Sequence, residues 1–270
     1  MEDLPSSSTE KTSVLLAERH GHLLLLTLNR PDRLNALSPE LHEALSVQIN
    51  AAAIDPEVRA VAVTGAGRGF CSGGDLGGGS RERLTQEARI DHMLHYAEAN
   101  RLLHEMPKPT IALINGAAAG AGLALALACD LRIAANDAML STAYSKVGLS
   151  GDHGATYFLT RLVGPSRASE LMFLSGRVGA EEALAWGLVN RVVPAASFQE
   201  EGLAFARALS QGPPVALRHM KRNIRAAVSD TLVENIEREA AAMIRCTKTE
   251  DIKEAMAARR EKRKPEFLGR

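Results

Sequence analysis

The chain has 270 residues, 32 basic and 32 acidic side chains that cancel to a formal net charge of zero, and 46% hydrophobic but only 4% aromatic residues. With neither sign in excess there is no long-range field to gather a polyanion, so nucleic-acid binding is excluded as a first reading. A core this poor in aromatics must be assembled from closely packed Ala, Leu, Val and Ile, and the length suits one α/β domain with a helical extension.

Residues 1–10 are polar and Ser-rich, lack the apolar run of a signal peptide, and are expected to be disordered. Residues 12–16 and 22–28 read as two strands joined by a turn near His20-Gly21, the second (LLLLTL) buried on both faces. After the polar break NRPDRLNAL, Ser38 as N-cap and Pro39 at the first helical position open a helix that runs to about residue 54. AVAVT at 60–64 is a strand that leads straight into GAGRGFCSGGD. A helix over 85–104 follows and is stopped by Pro107-Lys108-Pro109.

TIALIN at 110–115 is a strand, and residues 120–128 read as a helix by their Ala and Leu content, although Leu123, Leu125 and Leu127 also alternate as in a strand. Residues 109–129 carry no charge, but Asn115, Gly116, Gly120 and Gly122 break them into strand, turn and short helix rather than a membrane span. Short strands at 131–134 and 139–140 precede a mostly helical region. Its helices are predicted at 155–162, 166–173, 180–186, 198–209, 215–227, 231–244 and 250–258, with turns at 162–165 and 187–194. The expected organisation is a core over 11–195 and a helical region over 196–270. No GxGxxG follows a first strand, and GAGRG at 65–69 lacks the third glycine of a dinucleotide-binding turn.

Two strands thus run into small-residue junctions, GAGRGFCSGGDL after AVAVT and GAAAGAGLALA after TIALIN. Glycine admits backbone angles and close approaches that side chains block, so each junction can present unpaired N–H groups. The second also opens a helix, whose first N–H groups lack intrahelical partners and whose dipole is positive there. Two such donors aimed at one oxygen form an oxyanion hole able to hold the enolate of a thioester; tight turns in a parallel sheet are the plainer reading of the same pattern.

LNRPDRLNAL at 28–37, GRGFCSGGDL at 67–76 and ALINGAAAGAGLALALACDLRIAA at 112–135 resemble the successive signatures of the crotonase, or enoyl-CoA hydratase/isomerase, family. The likeness continues through KVGLSGDHGATYFLTRLVG, GLVNRVV and EKRKPEF and covers about residues 13–267. The resemblance implies an α/β fold, a crotonase-like spiral of repeated β-β-α units with a helical C-terminal trimerisation region. It also implies an acyl-CoA substrate, no cofactor apart from the coenzyme A that the substrate carries, and assembly as a homotrimer or a dimer of trimers.

Carried over by position, the resemblance puts the first oxyanion N–H on Ser72 and the second on Ala121, where many relatives have glycine. Gly73, Gly74, Leu76 and Gly120 are expected beside the substrate, with Asp75 ordering the loop. The family's hydratases resemble one another in using two glutamates, whose positions are here Ala124 and Tyr144, and neither side chain can act as a carboxylate.

Asp152 in GLSGDHGATYF stands where some isomerases of the family supply a carboxylate and a dehalogenase relative its nucleophile; its competing reading is an N-cap for the helix after Gly154. Tyr144 is expected to assist or to form a pocket wall, and His153 to assist or to face solvent. His92 and His95 share a helical face, bordering the acyl pocket or forming a surface pair.

Arg30, Arg33 and the loop near Ala36 are expected to meet coenzyme A, as are Lys264 and Phe267 from a neighbouring subunit, against the alternative that the basic run at 259–264 only complements a helix end. Cys71, Cys129 and Cys246 lie far apart without metal-ligand spacing, which predicts reduced thiols, a cytoplasmic location and no metal. Three activities remain open: hydration of a 2-enoyl thioester, movement of a 3-enoyl double bond by Asp152 alone, and acyl-CoA binding without turnover.

Overall fold

The computed structural model describes residues 13–75 and 84–270; the expectations for residues 1–10 and for Leu76 lie outside the described residues. Strands β1 (Leu15–His20) and β2 (Leu23–Leu28) form an antiparallel hairpin. The first strand therefore lies later than residues 12–16. It is an edge strand carrying Glu18 and Arg19 with Leu15 as its one buried side chain, so its apolar pattern is weak. In β2, Leu23, Leu24, Leu26 and Leu28 are buried while Leu25 and Thr27 are half-buried, so one face is less covered than expected.

Helix α1 (Pro39–Ile54) starts where the sequence places it, with the Ser38 side chain accepting from Leu41 N–H at 3.3 Å. Removing that acceptor leaves a first-turn donor unpaired. Ser38→Ala is expected to cost about 1 kcal/mol and lower the thermal midpoint by roughly 2–4 °C in a denaturation scan.

Strands then alternate between two sheets. β3 (Ala60–Gly65) is followed by β4 (Gly69–Cys71) and helix α2 (Gln86–Glu105), and β5 (Thr110–Ile114) by β6 (Ala117–Ala119) and helix α3 (Ala121–Ala128). β7 (Leu131–Ala135) is followed by β8 (Met139–Ser141), a short 3-10 segment (Tyr144–Val147) and helix α4 (Ala155–Leu174). The chain continues through β9 (Val178–Gly179), α5 (Ala180–Ala185), β10 (Arg191–Val193) and helices α6 (Phe198–Ser210), α7 (Pro214–Ala226), α8 (Leu232–Cys246) and α9 (Glu250–Glu261).

The larger sheet has the order β1-β2-β3-β5-β7-β10 and the smaller β4-β6-β8-β9. Three successive β-β-α turns thus stack β3, β5 and β7 in parallel in one sheet and β4, β6 and β8 in parallel in the other. This is the expected α/β spiral. One expectation at its edge is corrected: residues 191–193, read as part of a turn, pair in parallel with β7. The two helices expected at 155–162 and 166–173 meet at Gly164, whose backbone is not helical (φ 74°, ψ 165°), just before Pro165, so α4 is two helices joined by a sharp break. The three-residue strands β4 and β6 were invisible because GFC and AAA carry no strand signal of their own.

Small residues let these layers close. All eight residues of α3 are buried, and a Cβ built on Gly122 would stand 2.4 Å from the Cys71 carbonyl oxygen, so only glycine lets this helix lie against β4. Helix α6 packs on β2, β3, β7 and β10 and so belongs to the core layer. Helix α7 is tied to the core through Lys221, which is buried; its Nζ lies 2.7 Å from Asp130 and donates to the Leu103 carbonyl at 2.9 Å.

Candidate active site

The site forms where the chain steps from the larger sheet to the smaller, beyond the carboxyl ends of β3 and β5, the usual place for ligands in parallel sheets. Two asparagines pin the first step. Asn35, buried at φ 55°, donates through Nδ2 to the carbonyls of Ala66 (2.9 Å) and Gly69 (2.8 Å). Asn115 donates to the Gly67 carbonyl at 2.9 Å and accepts from Gly65 N–H at 3.1 Å. Neither was singled out as a site residue. Asn35 in the left-handed region is the kind of position Asn tolerates best, and its place in RLNAL was the available signal.

Residues 34–37 run alongside 72–75. The N–H of Ser72 donates to the Leu34 carbonyl at 3.0 Å, Leu37 N–H to Gly73 O at 2.8 Å, and Asp75 N–H to Leu37 O at 3.1 Å. Ser72 is therefore corrected: its amide hydrogen is engaged inside the loop, and its Oγ lies 3.3 Å from the Arg33 carbonyl. In this parallel pairing Leu37 uses both of its own backbone groups, so those of Gly74 point to the opposite edge, the side on which β4 meets β6. Among the described residues the Gly74 N–H has no hydrogen-bond partner, and it replaces Ser72 as the donor of this turn.

The second junction lies directly against the first. Gly73 has φ 101°, and a Cβ on it would meet Ala119 O at 3.0 Å and Ala121 N at 3.6 Å, so a side chain here would wedge the two turns apart. Ala121 is the first residue of α3 and is buried; its N-cap, Gly120, offers no side-chain bond, and the intrahelical ladder begins only with Ala124 N–H to Gly120 O at 3.0 Å. A buried helix start without a cap presents donors to a ligand, and the helix dipole favours negative charge there. The two turns that carry these amide hydrogens lie in contact through Gly73.

Next to this turn stands Tyr144, whose ring edge lies 3.8 Å from the Cβ position of Gly120 and 3.7 Å from that of Gly151. Tyr144, Ala124 and Ala155 form a small buried cluster with Met172 against it. Ala124 and Tyr144, where the resemblance leads one to expect the two glutamates, thus share one apolar cluster. The Tyr144 hydroxyl donates to Asp152 Oδ1 at 2.8 Å. Burial, then the neighbouring carboxylate, push the phenol pKa up, so it acts as a donor and not as a base.

Asp152 does not cap α4. The N-cap is Gly154, with no side-chain bond, and only the Asp152 carbonyl serves the helix, accepting from Ala155 N–H at 3.0 Å. Its carboxyl is held below its ordinary pKa. Burial raises it, but the His153 contact and charge, the Tyr144 hydroxyl and the charge of His42 together outweigh that rise. His153 is buried, which corrects the solvent-facing alternative; its ring stacks on His42 (centroids 5.1 Å apart), which stacks on Tyr96 (4.4 Å). His95 is half exposed and pairs with Glu43 at 2.7 Å, a surface contact, while His92 is tilted against Tyr96.

A groove of about 540 Å³ opens beside Asp152, His153 and Thr156, walled by Ile90, Met93, Leu94 and Ala97 of α2 with Gln86 and Arg89 at its rim. On the loop side, Arg30 bonds the Ala36 carbonyl at 2.6 Å and Asp75 Oδ2 at 2.8 Å. Its guanidinium therefore clamps the 34–37 and 72–75 segments together and is no free cation for a phosphate, whereas Arg33 is exposed and Ala36 is buried.

Lys264 is exposed and meets Gln211, while the Phe267 carbonyl accepts from Arg59 Nη1 at 2.6 Å. Arg59 precedes β3, so these residues sit one strand length, about 20 Å, from the site of their own chain. Among the described residues no group of three or more His, Cys, Asp or Glu is placed to hold a metal ion, and no helix is long and apolar enough to cross a membrane.

Residues 18–270 match the family model described as enoyl-CoA hydratase/isomerase. The chain belongs to the enoyl-CoA hydratase/isomerase family. It is 38% identical over 248 residues to a protein of Rhodobacter capsulatus named "Probable enoyl-CoA hydratase", covering 92% of this chain and 95% of that one. It is 35% identical over 258 residues to the 1,2-epoxyphenylacetyl-CoA isomerase of Escherichia coli, covering 95% and 98% of the two chains. Among solved structures, an enoyl-CoA hydratase from Polaromonas sp. JS666 superposes with a TM-score of 0.88 at 36% identity, covering 94% of this chain and 99% of the other. The spiral and its two junctions are therefore those of an enzyme of the enoyl-CoA hydratase/isomerase class.

Proposed function

We propose that this enzyme moves the double bond of a 3-enoyl-CoA thioester to position 2, with Asp152 as the single proton carrier. The N–H groups of Gly74 and Ala121 hold the thioester oxygen. The Asp152 carboxylate removes a proton from C2, the electron pair passes through C1 and C3 into a dienolate whose charge rests on that oxygen, and the carboxylic acid returns the proton to C4. One proton leaves and one arrives, so no water or cofactor is consumed. The observation that carries this reading is the joint replacement of both glutamate positions, with Ala124 and Tyr144 packed together and the tyrosine hydroxyl directed onto Asp152. Similarity to a relative named as an isomerase supports it.

Hydration of a 2-enoyl thioester, with Asp152 activating the water, is the second reading, favoured by the relative named as a hydratase. Matched 2-enoyl-CoA and 3-enoyl-CoA thioesters of equal chain length separate the two. Isomerisation is expected to show as formation of the conjugated enoyl chromophore from the 3-enoyl substrate, faster than its loss from the 2-enoyl substrate. The reverse order establishes hydration, and saturable binding with turnover of neither establishes a binding protein.

The unpaired thiols of Cys71, Cys129 and Cys246 fit a reducing compartment and support a cytoplasmic location. Ile224, Leu232, Ile236 and Met243 on α7 and α8 are more than half exposed in the single chain, an apolar face that supports assembly of homotrimers or dimers of trimers. In such an assembly Lys264 and Phe267 would reach coenzyme A only across a subunit boundary. Sedimentation velocity is expected to report a mass of three or six chains.

A further inference from the structure

His153 carries two costs that an ordinary core residue would avoid. Its backbone is left-handed at φ 52°, a conformation that favours glycine or asparagine, and both ring nitrogens are buried without a well-directed hydrogen bond. Both costs are retained at the residue whose Nδ1 stands 3.0 Å from Asp152 Oδ1, close enough for charge and dipole to act but off the line of a hydrogen bond. Two contacts from two helices hold it there, and a third backs one of them. Asn100 of α2, itself buried, donates to the His153 carbonyl at 3.0 Å, His42 of α1 lies nearly parallel to the ring (19° between planes), and Tyr96 of α2 backs His42 at 9°. Strain that a structure maintains from several sides beside a reactive group points to a role for that strain.

We infer that His153 is a positioning residue that fixes the Asp152 carboxylate beside the turn opening α3, and that the stack of His42 and Tyr96 fixes His153. This rests on Asp152 being the proton carrier. The titratable and charged groups around the pair are His42 on α1, Arg89, His92, His95 and Tyr96 on α2, and Tyr144 on the 3-10 segment; the first turn of α4 adds no acidic residue. His42 is pushed down to about 4, first by burial and then by His153, so it is neutral where the enzyme would work and serves as an aromatic plate.

The sign of the expected effect follows from the groups around Asp152. The carboxylate is the active base, and activity is lost as pH falls through its pKa. Burial raises that pKa, and His153 is the largest of the groups that lower it; without His153 only the Tyr144 hydroxyl and the His42 charge are left to oppose burial. The test is the pH profile of kcat/KM for a 3-enoyl-CoA in His153→Asn, which tolerates the left-handed backbone, and in His153→Gln should the first variant be unstable.

The acid limb is expected to move to higher pH, with KM on the alkaline side unchanged within about twofold. His42→Phe, which keeps an aromatic plate but removes the smaller contribution of the His42 charge, is expected to move the limb in the same direction and by less than His153→Asn does. A limb that stays in place while turnover falls equally at every pH reduces His153 to a structural role. A limb that moves as far in His42→Phe as in His153→Asn overturns the part assigned to the stack. Unchanged turnover in Asp152→Asn refutes the proton-carrier reading itself, a result distinct from both.

Discussion

Asp152→Asn is expected to lower kcat for 3-enoyl-CoA isomerisation by about 10²- to 10⁴-fold while leaving KM nearly unchanged, because it removes the proposed proton carrier and little else. The amide oxygen can still accept the Tyr144 hydroxyl bond, and the Asp152 carbonyl still receives Ala155 N–H at 3.0 Å, so α4 keeps its start. An Asp that merely capped the helix would give the opposite pattern, a lower thermal midpoint with turnover retained. The measurement is steady-state turnover with a melting curve on the same preparation, and turnover within threefold of wild type would remove Asp152 from the mechanism.

Ala121→Pro tests the other half of the chemistry. Ala121 is the first residue of α3, a position where proline is compatible with the helix because its N–H has no intrahelical partner. The substitution would therefore delete one of the two proposed oxyanion donors at small expected cost to the start of the helix. A loss of roughly 10²- to 10³-fold in kcat is expected, the size seen when one such donor is removed elsewhere. Ala121→Gly keeps the N–H and is expected to keep most of the activity. Undiminished turnover in the proline variant would show that no enolate oxygen rests there.

Reading the chain residue by residue located the turns of this site more reliably than it located their donors. The run SGGD announced a backbone that approaches something closely, but the alignment of signatures put the amide hydrogen on Ser72. Only the pairing of 34–37 with 72–75 shows that this hydrogen is engaged with Leu34 and that Gly74 faces the other junction. N–H direction alternates residue by residue along an extended segment, and the positive φ of Gly73 (101°) breaks that alternation between Ser72 and Gly74, which no reading of residue identities could show. The same limit applied to Arg30, whose charge suggested a phosphate and whose fork instead closes on Ala36 and Asp75. His42 lies about 110 residues before Asp152 in the chain and carried no signal at all.

By itself the sequence determined the α/β class, the N-cap at Ser38, helix starts near residues 85, 231 and 250, and the absence of a carboxylate at Ala124 and Tyr144, because caps, apolar periodicity and residue identity are local properties. The tertiary structure alone decided that β4 and β6 are strands, that Asp152 meets Tyr144 instead of capping α4, and that His153 lies buried under His42. Those outcomes depend on which distant segments come into contact. Burial, hydrogen-bond direction and the pKa values of the buried groups are set by that contact and not by any residue alone.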